Sequence, residues 1–285
     1  MPGVSSTDLI VNDDGSVFHL GLVPGQVADD IIAVGDPARV AEVSQYFDTI
    51  DSKCQRREFV THTGTFQGKR LTVISSGIGP DNVEIVLNEL DALVNMDLKT
   101  RVPKEQHHPL RIVRIGTSGS LQPEIAVGSH LLSLTAVGLD NLMNFYKLPQ
   151  DDTEKSICSK VVAQTGINFM PYKVASSPIL NKKFVDGMVE GNTVTCPGFY
   201  APQGRQVRLP IQYPQLLDKL TAFRADRFML TNFEMETSAY FAFGRLMGHE
   251  MASVNAILAN RVDGKMAHDP GRVVDDLIRK VLERI

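Results

Sequence analysis

Short apolar runs of strand length alternate with longer runs of helical periodicity along nearly the whole chain, and that alternation admits few folds. Residues 31–34 are apolar and end at Gly35-Asp36-Pro37. Pro37 suits the first turn of a helix, whose apolar face would hold Val40, Val43 and Phe47. Residues 71–74 form a second strand, ending at Gly77-Ile78-Gly79-Pro80. Asp81 with Glu84 resembles a capping pair, followed at helical spacing by Val83, Val86, Leu87, Leu90 and Val94. Residues 110–115 form a third strand, ending at Gly116-Thr117-Ser118-Gly119. Further on, strands are expected at 130–137, 174–177, 228–230 and 251–259, and helices at 151–164, 213–223, 234–247 and 273–282. Strands alternating with helices predict an α/β fold around a central, largely parallel sheet. The length of 285 residues allows one large domain or two. With no composition break, linker or repeat, a single domain over 1–285 is expected, residues 1–16 forming an N-terminal extension. The polar stretches 99–109 and 143–155 read as surface excursions.

The 29 basic and 33 acidic residues leave a net charge of −4, which excludes a broad basic surface for nucleic acid. Hydrophobic content of 43% excludes a disordered chain. Residues 1–17 lack the basic start and apolar block of a secretory signal, and no apolar run is long enough to cross a bilayer. Cys54, Cys158 and Cys196 are far apart and form neither a zinc pattern nor a disulfide framework. A cytoplasmic location is therefore expected, with no membrane and no nucleic-acid partner.

Glycine marks three strand ends, at Gly35, at Gly77 and Gly79, and at Gly116 and Gly119. Ligands of open α/β sheets bind outside the carboxyl ends of strands, where glycine lets backbone N–H groups approach an anion. Arg39 and Arg114 lie beside these turns, and guanidinium forks fit phosphate oxygens. Arg114 sits inside an apolar run and needs a partner if buried. Other phosphate and metal patterns fail. Asn82 stands where a dinucleotide fingerprint needs glycine. Gly64 to Lys69 has the wrong spacing for a P-loop, and Phe66-Gln67-Gly68-Lys69 reads as a hairpin turn. Ser253 stands where a zincin helix needs histidine, and His107-His108 lies in a polar loop, so no metal site is expected. Ser120 replaces the last glycine of a nucleophile elbow.

Six segments occur in a fixed order: Val17-Phe18-His19-Leu20-Gly21-Leu22, Gly35-Asp36-Pro37-Ala38-Arg39-Val40, Arg57-Glu58-Phe59, Gly77-Ile78-Gly79, Arg114-Ile115-Gly116-Thr117-Ser118-Gly119 and Asn232-Phe233-Glu234-Met235-Glu236-Thr237. Together they closely resemble the nucleoside phosphorylase-I family, most of all its uridine phosphorylases, from about residue 19 to about residue 261. The resemblance implies a single domain with a central twisted mixed sheet, closed as a distorted barrel and flanked by helices. It implies cleavage of a nucleoside by inorganic phosphate, a co-substrate, to a free base and ribose 1-phosphate. By position it implies a phosphate site of Gly35, Arg39, Arg114 and Thr117, with Arg57 supplied by a neighbouring subunit. His19 matches the histidine that reaches a ribose 5′-hydroxyl across a dimer, and Glu234, Met235 and Glu236 match the ribose contacts. A homo-oligomer with shared active sites follows. Read from the residues alone, Met235 is also compatible with a helix core and Glu236 with a solvated helix start.

Phe199-Tyr200-Ala201-Pro202-Gln203-Gly204-Arg205 resembles a uracil-recognition loop. Phe199 would stack on the base, while Gln203 and Arg205 would read its imide edge. An amide offers donor and acceptor and a guanidinium only donors, which complements uracil O2, N3–H and O4. Ser118, Gly119 and Leu258 would be further base neighbours. Purine enzymes of this fold place an aspartate after the strand that follows the Glu-Met-Glu motif; here that strand ends in Asn260-Arg261. Arg205, Gln203 and Arg114 are the expected catalytic residues. No organic cofactor is implied, and Asn82 stands where bacterial relatives carry a small hydroxyl residue beside a monovalent cation, which argues against that ion here. A purine phosphorylase or nucleosidase of the same fold and a non-catalytic nucleoside binder are the alternatives.

Overall fold

The structure is a computed structural model that describes residues 3–285; Met1 and Pro2, and with them the first residues of the expected extension, lie outside the described residues. Eleven strands form one mixed sheet: β1 (Asp30–Val34), β2 (Thr49–Arg56), β3 (Phe59–Phe66), β4 (Lys69–Ser75), β5 (Arg111–Ser120), β6 (His130–Gly138), β7 (Tyr172–Ala175), β8 (Val189–Thr195), β9 (Asn232–Glu234), β10 (Glu250–Asn260) and β11 (Lys265–Met266). Seven helices flank it: α1 (Pro37–Ser44), α2 (Pro80–Asn95), α3 (Asp152–Thr165), α4 (Pro178–Phe184), α5 (Leu216–Thr221), α6 (Thr237–Met247) and α7 (Pro270–Leu282). The spatial order is β11-β10-β6-β8-β9-β5-β1-β4-β3-β2, with β7 beside β6. A further pairing of β10 with β5 closes β5, β10, β6, β8 and β9 into a ring, the distorted barrel. The chain is thus a single mixed α/β domain.

Alternation along the strands assigns the two faces. In β1, Ile31 and Ala33 pack with α2 and α6, while Ile32 and Val34 pack with α1, α4 and α7. Strands covered on both faces read as largely apolar runs, which is why 31–34, 71–74 and 251–259 were legible. A third cluster joins α3 and α5 to β8 and β9 through Val161, Leu220, Val194 and Phe233.

Several elements differ from expectation, each for a local reason. The strand expected at 110–115 runs on to Ser120, so Gly116-Thr117-Ser118-Gly119 is strand rather than turn. Its glycines and small polar residues mimic a loop, but β10 pairs with the strand along its length. Helix α2 starts at Pro80 with Gly79 at its N-cap, and no side chain caps it; Asp81 and Glu84 are therefore not a capping pair. Gly79 supplies the positive φ of 101° that the turn requires. Helix α6 starts only at Thr237, because Asn232 to Glu234 pair with β8 and β5. The hairpin β2–β3 and strand β8 interleave Thr and other polar residues with their few apolar ones and carry no long apolar run to betray them. Gln67 and Gly68, both with positive φ, make the expected turn between β3 and β4. The stretch 143–155 is not a simple excursion. Met143 is buried, and Glu154 pairs with Arg245 of α6 at 2.7 Å.

At the amino ends of three parallel strands, buried Asp30 receives Arg111 through two hydrogen bonds of 2.7 Å and Lys69 at 2.9 Å. Burial alone would raise its pKa, but hydrogen bonds from Arg111 and Lys69 more than reverse this and hold it below the usual carboxylate value. The stability it contributes is therefore present above the unfolded value of about 3.9 and is lost as pH falls through the lower folded value. Asp30→Asn is expected to cost about 1–3 kcal/mol at neutral pH and to flatten the acid limb of stability. Urea unfolding of both proteins between pH 3 and 7 checks this.

Candidate functional site

One pairing detail creates the cleft. Strand β1 borders β5 only as far as Ile115, and β9 borders the same edge only from Gly119. Gly116, Thr117 and Ser118 between them have a sheet neighbour on the β10 side alone. The gap opens into a cleft of about 1000 Å³. Its walls come from the turn after β1 (Gly35 to Arg39), the turn after β4 (Gly77, Ile78), the unpaired stretch of β5, the segment Phe233 to Glu236, the end of β10, and the loop 199–205.

Arg114 organises the floor. Its side chain is 4% exposed, with Nη2 at 2.5 Å from Glu236 Oε2 and 3.1 Å from Glu234 Oε2. Nη1 donates to Asn255 Oδ1 at 3.1 Å. The guanidinium lies over Gly116, where an added Cβ would sit 1.9 Å from Nη1. Burial would lower the Arg114 pKa, but Glu234 and Glu236 reverse that and hold it above its ordinary value. Burial also pushes the Glu236 carboxyl up, against the pull of Arg114. Glu236 Oε1 accepts the Gly79 amide at 2.8 Å, and so ties the knot to the start of α2.

Glu234 is occupied differently. Its carboxylate accepts the amides of Glu236 and Thr237 and the Thr195 hydroxyl at 2.7 Å. It thereby caps α6 from outside the helix. Met235 lies between β9 and α6, half-buried on the cleft wall, and is not on a helix face. Glu236 is buried, not a solvated helix start.

Arg39 is on the first turn of α1, behind Asp36, whose carboxylate accepts the Ala38 amide. Its Nε is buried with no partner, and the nearest carboxylate, Glu42, is 4.0 Å away. Burial pulls its pKa down, with Glu42 offsetting only part. A largely buried cation with an unpartnered nitrogen is ready to receive an anion.

The far end of the cleft is aromatic and basic. A single 3₁₀ turn at 201–203 and left-handed Gly204 fold the loop back, so that Arg205 Nη1 reaches Phe199 O at 2.7 Å and Gln203 Oε1 at 2.5 Å. The Arg205 guanidinium lies 3.8 Å from the centre of the half-exposed Phe199 ring. Arg205 and Arg261 also approach Phe233, at 5.8 and 5.4 Å. Burial, and then the like charge of Arg261, push the Arg205 pKa down to about 10, so it stays charged at neutral pH. Ser118 Oγ accepts from Asn232, while Gly119 leaves room for the stem of Arg261. Leu258 and Ala259 complete the wall.

The cleft thus gathers Gly35, Arg39, Arg114, Thr117, Ser118, Gly119, Phe199, Gln203, Arg205, Glu234, Met235, Glu236 and Leu258. It does not gather His19 or Arg57. His19 borders a separate cleft of about 370 Å³, where its Nδ1 meets Glu89 at 2.7 Å. Arg57 sits at left-handed φ in the turn between β2 and β3 and lies 5.9 Å from the Phe18 ring, which also packs against His19. Sequence reasoning passed over Arg261 and Phe233. Arg261 directly follows an apolar strand run, a placement like that which marked Arg114, and its Nη1 is buried without a partner.

Asp91, His107 and His249 also converge, with ligand-type atoms within 4.8 Å of one another. The Leu110 amide donates to His249 Nδ1 at 3.1 Å, so the proton of a neutral ring is on Nε2, which lies 3.2 Å from Asp91 without a hydrogen bond to it. A neutral imidazole so arranged has no lone pair left for a metal. In the first turn of α2, the Asn82 side-chain amide donates to Ile78 O at 3.4 Å.

Comparison with known proteins agrees with the geometry. The family model described as the phosphorylase superfamily matches residues 29–284. A uridine phosphorylase of Thermococcus kodakarensis is 28% identical over 253 residues, covering 88% of this chain and 79% of the relative. A DeoD-type purine nucleoside phosphorylase of Oceanobacillus iheyensis is 23% identical over 276 residues, covering 94% of this chain and 98% of the relative. A crystal structure of a Trypanosoma brucei nucleoside phosphorylase, described as showing uridine phosphorylase activity, superposes with a TM-score of 0.88 at 29% identity. It covers 97% of this chain and 99% of that one. Matched over most of its sequence and nearly all of its fold, the chain is an enzyme of the phosphorylase superfamily.

Proposed function

We propose that the chain catalyses the reversible phosphorolysis of a pyrimidine nucleoside, uridine foremost, to uracil and ribose 1-phosphate. The observation that carries this reading is the far end of the cleft. Arg205 is clamped against Phe199 and Gln203, with Arg261 beside it, and among the described lining residues no carboxylate stands there. Gln203 Oε1 keeps a second lone pair for uracil N3–H, and its amide N–H groups and the two guanidiniums face O2 and O4. A purine phosphorylase protonates its leaving base, and this end of the cleft offers donors that stay charged instead.

The other end suits inorganic phosphate. Arg39, Arg114, Thr117 and the glycine turn at Gly35 would hold the anion, with Arg57 of a second copy completing the clamp. Glu236 would accept from ribose hydroxyls beside Met235, and Glu234, filled by backbone amides, would hold that segment in place. Bond cleavage passes through a cationic, oxocarbenium-like sugar. Phosphate is the nucleophile, and its charge lies next to the developing cation. The pair of electrons leaving with uracil spreads onto O2 and O4, where Arg205 binds the anion more tightly than neutral uridine. His19 and Arg57 lie on one edge of the chain, both against Phe18, so one contact between copies would deliver both. The functional unit is therefore a homo-oligomer with shared sites. Phosphate enters as a co-substrate, and no step draws on a resident metal or organic cofactor.

Incubation with uridine is expected to release uracil only when phosphate is present, and inosine is expected to be a poor substrate. Release without phosphate, or a preference for inosine, would overturn the reading. Arg205→Ala is expected to lower kcat about 100- to 1000-fold, the typical loss for one preorganised donor, with the KM for phosphate unchanged. Initial-rate kinetics with each substrate varied in turn decides this. Gly116→Ala forces Arg114 out of its place, and is expected to raise the phosphate KM while a thermal melt still shows a folded protein.

A further inference from the structure

Resting on that reading, His19 must present one particular ring nitrogen to a nucleoside held by another copy, and nothing in the N-terminal segment itself sets which. Glu89, on α2, does. Its side chain is 11% exposed, and its carboxylate takes the His19 amide at 2.9 and 3.0 Å, the Leu20 amide at 2.8 Å and His19 Nδ1 at 2.7 Å. An ionised carboxylate can only accept, so the imidazole nitrogen facing it must be the donor. In the neutral ring the proton then sits on Nδ1, and Nε2 carries the lone pair. The His19 side chain is 30% exposed, and the Phe18 ring packs edge-on at 4.9 Å. Among the described residues, Nε2 has no partner within the chain.

We propose that Glu89 is a positioning residue that locks the His19 ring and its tautomer, offering Nε2 as an acceptor to the 5′-hydroxyl of a nucleoside in a neighbouring copy's cleft. Such a nitrogen selects for a hydroxyl donor. A 5′-deoxynucleoside leaves it unpartnered, and a 5′-phosphate would face a lone pair backed by the charge of Glu89, so the arrangement favours nucleosides over nucleotides. The same helix begins beside Gly79, whose amide holds Glu236. Ten residues of helix, about 15 Å, thus separate the group that orders this chain's own cleft from the group that orders its neighbour's.

The test compares uridine with 5′-deoxyuridine. Glu89→Gln turns an amide NH₂ toward Nδ1 while its oxygen keeps the backbone amides, which reverses the tautomer. It is expected to raise the KM for uridine about tenfold and leave kcat, and the KM for 5′-deoxyuridine, unchanged. Adding Glu89→Gln to His19→Ala is expected to cost nothing more. Nitrogen-15 NMR of His19 is expected to show Nδ1 protonated in the wild type and Nε2 protonated in Glu89→Gln. An equal loss on both substrates, or a wild-type ring protonated on Nε2, overturns the proposal. If the wild type turns over neither nucleoside, the functional reading falls, and the wild-type spectrum still decides whether Glu89 holds the ring. The same spectrum decides it if Glu89→Gln fails to fold.

Discussion

A single buried cation, Arg114, sets the terms for its surroundings. A guanidinium 4% exposed on a central strand is tolerable only if its donors are met, and three residues meet them: Glu234 and Glu236 from the segment before α6, and Asn255 from β10. Removing one partner of such a buried pair typically costs about 3–5 kcal/mol. The requirement spreads outward. Residue 116 must lack a side chain so that the guanidinium can pass, and Glu234 must cap α6 so that Glu236 projects into the knot. Gly79 must offer its amide to Glu236, and so the start of α2 is drawn to the same point. Strands β5, β9 and β10 and the turn after β4 are thereby held together around one charge.

That arrangement also prepares the cleft for anions. A net charge of −4 describes the molecule from a distance; within the cleft, Arg39, Arg114, Arg205 and Arg261 converge in a partly desolvated space where charge–charge terms are stronger than in water. Two of them, Arg39 and Arg261, keep a buried nitrogen without a partner, while Arg114 and Arg205 are already oriented by acceptors of the chain. Fixed donors and free donors sit side by side. The fixed ones give the site its shape, and the free ones give it capacity for a ligand.

Legibility followed burial on both faces. Residues 31–34, 71–74 and 251–259 were plain because strands covered on both sides are mostly apolar along their length. The β2–β3 hairpin was invisible because β2, Thr49 to Arg56, is half-exposed and mostly polar. Gly116 to Gly119 were misread as a turn for an instructive reason. Their glycines serve side chains that cross over them, Arg114 at Gly116 and Arg261 at Gly119, not a bend in the backbone. Met235 and Glu236 fit a helical face by spacing, but pairing of β9 with β8 and β5 delays the helix past them. In the site, a shared motif order sufficed to name most of the residues that line one cleft, while His19 and Arg57 stand outside it. Arg261 was read only as the end of a strand without an aspartate, because its approach to Phe233 and the cleft depends on residues far along the chain.

By itself the sequence determined the α/β class and the glycine turns after β1 and β4, because periodicity and local turn chemistry are properties of neighbours in the chain, while the order of shared motifs named most of the residues that line the cleft. Tertiary structure alone decided the rest. The closure of the sheet between β5 and β10, the gap beside Gly116 to Ser118, and the pairing of Arg114 with Glu234 and Glu236 join residues more than a hundred positions apart. The partner of His19 is of the same kind, for Glu89 lies 70 residues away on a helix that nothing in the local pattern links to it. Charges and unpaired strand edges are satisfied by whatever the fold brings near, and that is settled by packing rather than by position along the chain.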